Sequence, residues 1–128
     1  MYLTNPDLRY ADAYGGERQS GQFPFFLSLQ ANLSAAYQGM RADHIEYGKP
    51  SRLTFEFAET VLREQAAKHG VDISEIYMIG DNPSGDITGA NRMGAGWNSI
   101  LVHSGVYKPE DRPNLQGDQI PTFEAKNM

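Results

Sequence analysis

Ile76-Tyr77-Met78-Ile79-Gly80-Asp81-Asn82-Pro83-Ser84-Gly85-Asp86 is the stretch on which the fold turns. The unbroken apolar run Ile76 to Ile79 predicts an interior strand of a parallel sheet, because such strands are covered on both faces. Gly80 closes the run, and Asp81 follows at the carboxyl end of the strand, where open α/β sheets bind ligands. Asp86 falls near the start of the next helix, where unpaired N–H groups favour a negative charge. Gly80 and Gly85 permit close backbone approach, and Pro83 restricts the loop between them. Asp81 and Asp86 offer hard oxygens that, with waters and a substrate phosphate, suit magnesium. The same spacing also suits a solvated acidic turn in which Asp86 caps a helix.

Upstream of this loop, Gly48-Lys49-Pro50 is a basic turn followed by a predicted helix, Ser51 to His69, with Phe57, Ala58, Val61, Leu62 and Ala66 along one stripe. Gly70 is placed for a left-handed cap. Lys49 would bring a point positive charge to the same crevice, able to neutralise a phosphate. Taken by itself it also reads as a surface lysine. Downstream, a short helix is expected over Asp86 to Arg92, stopped by Gly94, and then a strand over Trp97 to Val102. Strand, helix and strand from Glu75 to Val102 make a compact βαβ unit, so the fold class is α/β with parallel strands.

Further out the patterns weaken. Tyr2-Leu3-Thr4 reads as a short strand closed by the turn Asn5-Pro6-Asp7. Arg9 to Gln22, with Gly15-Gly16 and Ser20-Gly21, reads as a long polar loop. Phe23 to Tyr37 carries Phe26, Leu29, Leu33, Ala36 and Tyr37 at helical intervals, with Pro24 in the first turn and Gly39 past the end. His44 to Tyr47 is an edge strand or an extended loop. Beyond Lys108 the Pro, Gly, Asn and Asp content predicts a loosely held tail.

The bulk composition excludes several classes of function. With 11 Lys plus Arg against 16 Asp plus Glu, the net charge of −5 offers no surface for nucleic acid or anionic membrane. The absence of cysteine removes disulfides, thiolate-bound zinc and thiol catalysis. No apolar run approaches the ~18 residues of a membrane span, and Met1 to Asp7 lacks the basic and apolar regions of a signal peptide. His44, His69 and His103 are too scattered for a ligand set, although His103 at a strand end is a candidate substrate contact. Ser28, Ser34 and Ser104 lack an identifiable His–Asp arrangement.

Gly48-Lys49-Pro50, Phe55 to Ala58, Ile79 to Ile87, Gly89-Ala90-Asn91-Arg92-Met93-Gly94 and Val102-His103-Ser104-Gly105-Val106-Tyr107 together resemble the haloacid dehalogenase-like (HAD-like) hydrolases. The match is to the subfamily with a large α/β cap that includes the cat eye syndrome critical region proteins, and it covers most of residues 1–107. The resemblance implies a Rossmann-like three-layer sandwich and a phosphomonoesterase that uses Mg2+ and an aspartyl-phosphate. It implies that Lys49 contacts phosphate and the intermediate, that Asp81 binds magnesium, and that Asp86 belongs to the same metal motif. Asn82 lies in that motif, and Asn5 and Asp7 match a cap-side turn with a weaker link to substrate. Some full-length relatives are mitochondrial. On this reading residues 1–22 are the end of the cap and a connecting loop, 23–107 the carboxy-terminal half of the core, and 108–128 an irregular tail.

One departure limits the resemblance. The family's nucleophilic aspartate and its acid–base partner lie on an early strand before the cap, and no Asp-x-Asp strand end occurs here. Asp7 is followed by Leu8 and Arg9, and Asp12 sits in a polar loop. Covalent phosphoryl transfer then has no attacking group. The expectation is the carboxy-terminal part of a longer hydrolase, inactive alone, whose central strand has an unpaired flank open to its missing half or to self-association. The competing expectation is a non-catalytic domain that keeps the scaffold and acts by association.

Overall fold

The computed structural model describes residues 1–10 and 19–127, without the side chains of Arg9 and Gln19. Asp12 and Gly15-Gly16 therefore lie outside the described residues. Backbone contacts divide the chain into two compact units, Met1–Gly48 and Lys49–Met128.

In the first unit, β1 (Tyr2–Leu3) is followed by β2 (Arg9–Tyr10) and β3 (Gln19–Ser20), which pair antiparallel within the region expected to be loop. Helix α1 (Phe23–Ala36) has Pro24 in its first turn, where a missing N–H leaves nothing unsatisfied. Phe26 is its buried residue, set 6.0 Å from the Phe23 ring and 4.5 Å from the His44 ring. The helix stops where Gln38 and Gly39 adopt φ of 49° and 86°. The Gln30 side chain then clamps the returning chain. It accepts from the Ala42 N–H at 2.8 Å and donates to the Ala42 carbonyl at 3.3 Å. Strand β4 (Ile45–Glu46) pairs parallel with β1, which settles the His44 to Tyr47 segment as strand.

The second unit holds α2 (Arg52–Lys68), β5 (Ile76–Gly80), a π-type turn over Pro83–Ile87, α3 (Thr88–Met93), β6 (Trp97–Val102) and β7 (Phe123–Ala125). The three strands form one parallel sheet in the order β5-β6-β7, with Ile79 opposite Ile100 and Leu101 opposite Glu124. This is the expected α/β Rossmann-like arrangement, and among the described residues no further strand pairs with β5. Helix α3 is the crossover between β5 and β6. Ile87, Leu101 and Tyr107 form the core, with Leu115 packed against them. The Phe55 ring of α2 packs against Gly89 of α3, where a side chain would collide with it, and meets Trp97 edge-on at 5.5 Å.

Three expectations need correction. The segment read as a tail beyond Lys108 contains β7, whose entry is fixed by the fully buried Ser99. The Ser99 hydroxyl donates to Asn91 at 2.8 Å and accepts from the Thr122 N–H at 3.0 Å. The α2 stripe through Phe57 is not the packed one: Phe55 is buried, while Phe57 is 70% exposed. The physical reason is the narrow sheet, since α2 packs chiefly on α3 and only the face carrying Phe55 meets it. The helix expected from Asp86 begins instead as the π-type turn, and α3 proper starts at Thr88.

Among the described residues β5 pairs only with β6, so it is an edge strand. Tyr77 and Ile79 on it are 48% and 44% exposed. Between β6 and α2, the Trp97 indole N–H donates to Glu59 at 2.9 Å. That bond, reinforced by the Arg63 guanidinium, holds the Glu59 carboxyl below the usual carboxylate range. A depressed folded-state pKa stabilises above the ordinary carboxylate pKa, and that stabilisation is lost as pH falls through the depressed value. The pH dependence of the melting temperature below about pH 5 should therefore flatten in Glu59→Gln. The single Trp97 provides the fluorescence readout. An unchanged acid limb would mean that Glu59 and Trp97 do not interact in solution.

Candidate metal and phosphate site

The site is built by the chain reversal after β5. The Asn82 side-chain carbonyl accepts from the N–H groups of Ser84 and Gly85 at 3.0 and 3.2 Å. Its backbone carbonyl accepts from the Asp86 N–H at 2.8 Å. This Asx-type cap satisfies the donors of the turn and swings Asp86 back over the end of the strand. Gly80 makes room for it, because a Cβ at that position would overlap the Asp86 carboxylate.

Asp86 is 1% exposed and both its oxygens are engaged. Oδ1 pairs with the Lys49 ammonium, and Oδ2 accepts from the Asn82 N–H at 3.0 Å. A buried carboxylate needs such partners, since an unpaired charge in this position would be strongly penalised. The Lys49–Pro50 peptide is cis. An ammonium carries three N–H donors, and among the described residues Asp86 engages one of those on Lys49.

Asp81 is held from the other side. Its Oδ2 accepts from the Val106 N–H, and its backbone carbonyl accepts from the Tyr107 N–H at 3.0 Å. Gly105 lies so close to the Asp81 carboxylate that a Cβ there would overlap it. Among the described residues Oδ1 of Asp81 takes no hydrogen bond, so one partly buried hard oxygen is left for a cation. No group of three His, Cys, Asp or Glu side chains converges among the described residues. The donor set would suit a magnesium held by one protein carboxylate and otherwise by water and phosphate oxygens, and not a closed protein cage. Asp86 is committed to Lys49 and Asn82.

The structure brings Lys49, Asp81, Asn82 and Asp86 together at one strand end, all within the second unit. Asn5 lies in the first unit, where its side chain accepts from the Asp7 N–H at 2.8 Å and closes the expected turn. His103 does not bond to either carboxylate of the site. Its Nε2 meets Glu124 at 2.8 Å, and its ring lies 5.3 Å from that of Tyr107. Sequence reading missed Val106 and Tyr107 as donors to Asp81, because they act through backbone N–H groups that no side-chain pattern signals.

A cleft of about 580 Å3 opens in the same unit, lined by polar groups that include Ser84, Thr88, Arg92 and Gln119. Arg92 is paired across it with Asp118 at 2.9 Å. Hydroxyl, amide and guanidinium groups beside the acidic turn suit a polar ligand and offer little to an apolar one.

Comparison with known proteins places these features in context. The HAD-hydrolase-like family model matches residues 46–124, which is more than half of the chain. A cardiolipin synthase (CMP-forming)/mitochondrial hydrolase fusion protein of Schizosaccharomyces pombe is 34% identical over 130 residues, spanning 100% of this chain and 20% of that protein. A mitochondrial hydrolase of Saccharomyces cerevisiae is 34% identical over 131 residues, 87% of this chain and 36% of its own length. Among solved structures, a possible sugar phosphatase of the HAD superfamily from Cytophaga hutchinsonii superposes with a TM-score of 0.71 at 25% identity, covering 98% of this chain and 40% of that one. The chain thus spans between a fifth and two fifths of the length of these proteins. Because the family model spans both strands of the βαβ unit and the acidic turn between them, the chain belongs to the HAD-hydrolase-like family.

Proposed function

We propose that this chain is the magnesium- and phosphate-binding part of a phosphomonoester hydrolase, inactive until the rest of a longer protein supplies the attacking carboxylate. The observation that carries the reading is the meeting of the Lys49 ammonium with buried Asp86, one turn from an Asp81 oxygen left without a donor. The chain spans only part of every reported relative, which supports a working enzyme built from more than these residues. The subfamily we propose is the large-cap one, with residues 1–22 as the end of the cap, 23–107 as half of the core, and the remainder completing the sheet through β7. Two fungal relatives are named as mitochondrial proteins, which supports a mitochondrial setting. No helix among the described residues is long and apolar enough to cross a membrane.

In this reading each residue has a distinct task. Asp81 Oδ1 would ligate the magnesium, and when bound the ion would offset the charge of the transferring phosphoryl group. Lys49 binds a phosphoryl oxygen through its remaining N–H donors. Asp86 fixes the Lys49 head by their ion pair and balances its charge while the site is empty of phosphate. Asn82 keeps Asp86 in place through its backbone N–H, and its side chain holds the turn. The substrate is a small phosphorylated molecule, and the polar cleft beside Ser84 and Thr88 suits a hydrophilic leaving group.

A second reading has its own observation. The open flank of β5, with Tyr77 and Ile79 half exposed, suits a domain that acts by pairing with another chain and performs no chemistry. Mixing the chain with the amino-terminal half of a full-length relative, then following phosphate release from p-nitrophenyl phosphate with Mg2+, separates the two. Turnover is expected only in the mixture, and Asp81→Asn should lower it by about 10²-fold or more, the order lost when one transition-state contact is removed. Stable association without turnover would favour the second reading. Turnover by the chain alone would refute its inactivity.

A further inference from the structure

The loop that grips Asp81 is itself held from a distance. Its two ends, His103 and Tyr107, both turn their side chains to one carboxylate on β7. His103 Nε2 lies 2.8 Å from Glu124 Oε1, and the Tyr107 hydroxyl donates to the same oxygen at 3.1 Å. The other oxygen of Glu124 is paired with Arg112, from the short turn Pro109–Asn114. Tyr107 is 1% exposed, so its ring is locked into the core while its hydroxyl reaches the carboxylate. Between these anchors lie Gly105, pressed against the Asp81 carboxylate, and Val106, whose N–H donates to it.

We infer that Glu124 is a positioning residue for the metal site. It touches neither Asp81 nor a ligand position. It draws three donors onto one carboxylate, one from the turn Pro109–Asn114 and two from the ends of the loop that orients Asp81. A carboxylate accepting several charge-assisted or hydroxyl bonds is a strong local anchor. With it in place, Asp81 Oδ2 is committed to Val106, and among the described residues Oδ1 takes no hydrogen bond. Without it, the side-chain bonds that among the described residues tie His103 and Tyr107 to β7 are gone, and the Val106 N–H can leave Asp81. The inference deepens the proposed magnesium site, and only its effect on metal binding rests on that reading.

The test is amide hydrogen exchange on the full chain, with a magnesium titration followed by backbone amide shifts of residues 80–87. In Glu124→Ala, exchange at Val106 and Tyr107 should rise at least tenfold while the β5–β6 ladder amides stay as in the parent. Magnesium affinity should fall several-fold. Glu124→Gln, which keeps an acceptor for Tyr107 but loses the Arg112 ion pair, should fall between the two. Parent-like exchange at Val106 and Tyr107 in Glu124→Ala would overturn the inference. If the parent chain shows no magnesium response, the metal reading fails, and the exchange result still decides the role of Glu124. If Glu124→Ala loses the whole ladder, Tyr107→Phe removes one anchor only. Selective loss of protection at Val106 would then support the inference, and unchanged protection would overturn it.

Discussion

Replacing Lys49 with methionine is expected to destabilise the second unit by about 2 kcal/mol, a fall in melting temperature of roughly 8–16 °C for a unit of this size. Removing one member of a fully buried ion pair typically costs about 3–5 kcal/mol, because the other charge is left without a partner. The figure is set lower here because the Lys49 side chain is 41% exposed while that of Asp86 is 2% exposed, so water can reach the vacated side. Asp86 would still accept from the Asn82 N–H, which keeps the loss finite. Neutralising the carboxylate as well should recover stability: Lys49→Met with Asp86→Asn should melt higher than Lys49→Met alone, since no buried charge is then stranded. A double-mutant cycle with a coupling of about 1 kcal/mol or more would establish the pair. Additive single effects would mean that the two side chains do not meet in solution.

The second large effect is expected at Gly80. An alanine there places its Cβ inside the space of the Asp86 carboxylate, and the strand cannot retreat because its partner β6 is paired along its length. Asp86 must move instead, giving up Lys49, the Asn82 N–H or both. Overpacking of this kind costs about 1–3 kcal/mol, and the lost charged bonds add to it. The substitution should also abolish any magnesium response around residues 80–87, since the turn orienting Asp81 and Asp86 is rebuilt. Gly70→Ala is the comparison. Gly70 has φ of 65° with nothing within 4 Å of an added Cβ, so only the left-handed strain of about 1 kcal/mol is felt. That change should leave the Asn82 amide where it was. Equal effects from the two substitutions would show that backbone strain, and not the carboxylate, makes Gly80 necessary.

The elements that sequence pattern made legible are those set by local chemistry. Ile76 to Ile79 is an apolar run closed by Gly80, and Trp97 to Val102 follows Gly96 and ends in Ile100-Leu101-Val102; they form β5 and β6. Gly39, Gly70 and Gly94 mark helix ends by their left-handed backbone. Strand β7 was not legible. Phe123–Ala125 has too few residues to carry a period, and it exists because β6 and the Ser99–Thr122 bonds hold it. The helix stripe through Phe57 failed for a related reason. Periodicity identifies candidate faces, but the surface available for packing decides which face is buried, and here that surface is Gly89 and Trp97 against Phe55. At the site, Lys49 and Asp86 could be brought together from the order of turn, helix and strand. Glu124 could not, since nothing near it in sequence announces a carboxylate that serves residues so far upstream.

The wiring of the site has a consequence for a chain emerging from a ribosome. Asp81 waits for the Val106 N–H, 25 residues later, and Tyr107 in turn waits for Glu124, a further 17. Loop closures of this length carry an entropic cost before their contacts repay it. The nascent turn at Gly80–Asp86 is therefore made early and aimed late. During that interval its carboxylates are exposed to free cations with no fixed orientation, and the sheet has one bare edge on β5 and another on β6. A chaperone or a ready amino-terminal neighbour would have its greatest effect in that window, before β7 docks.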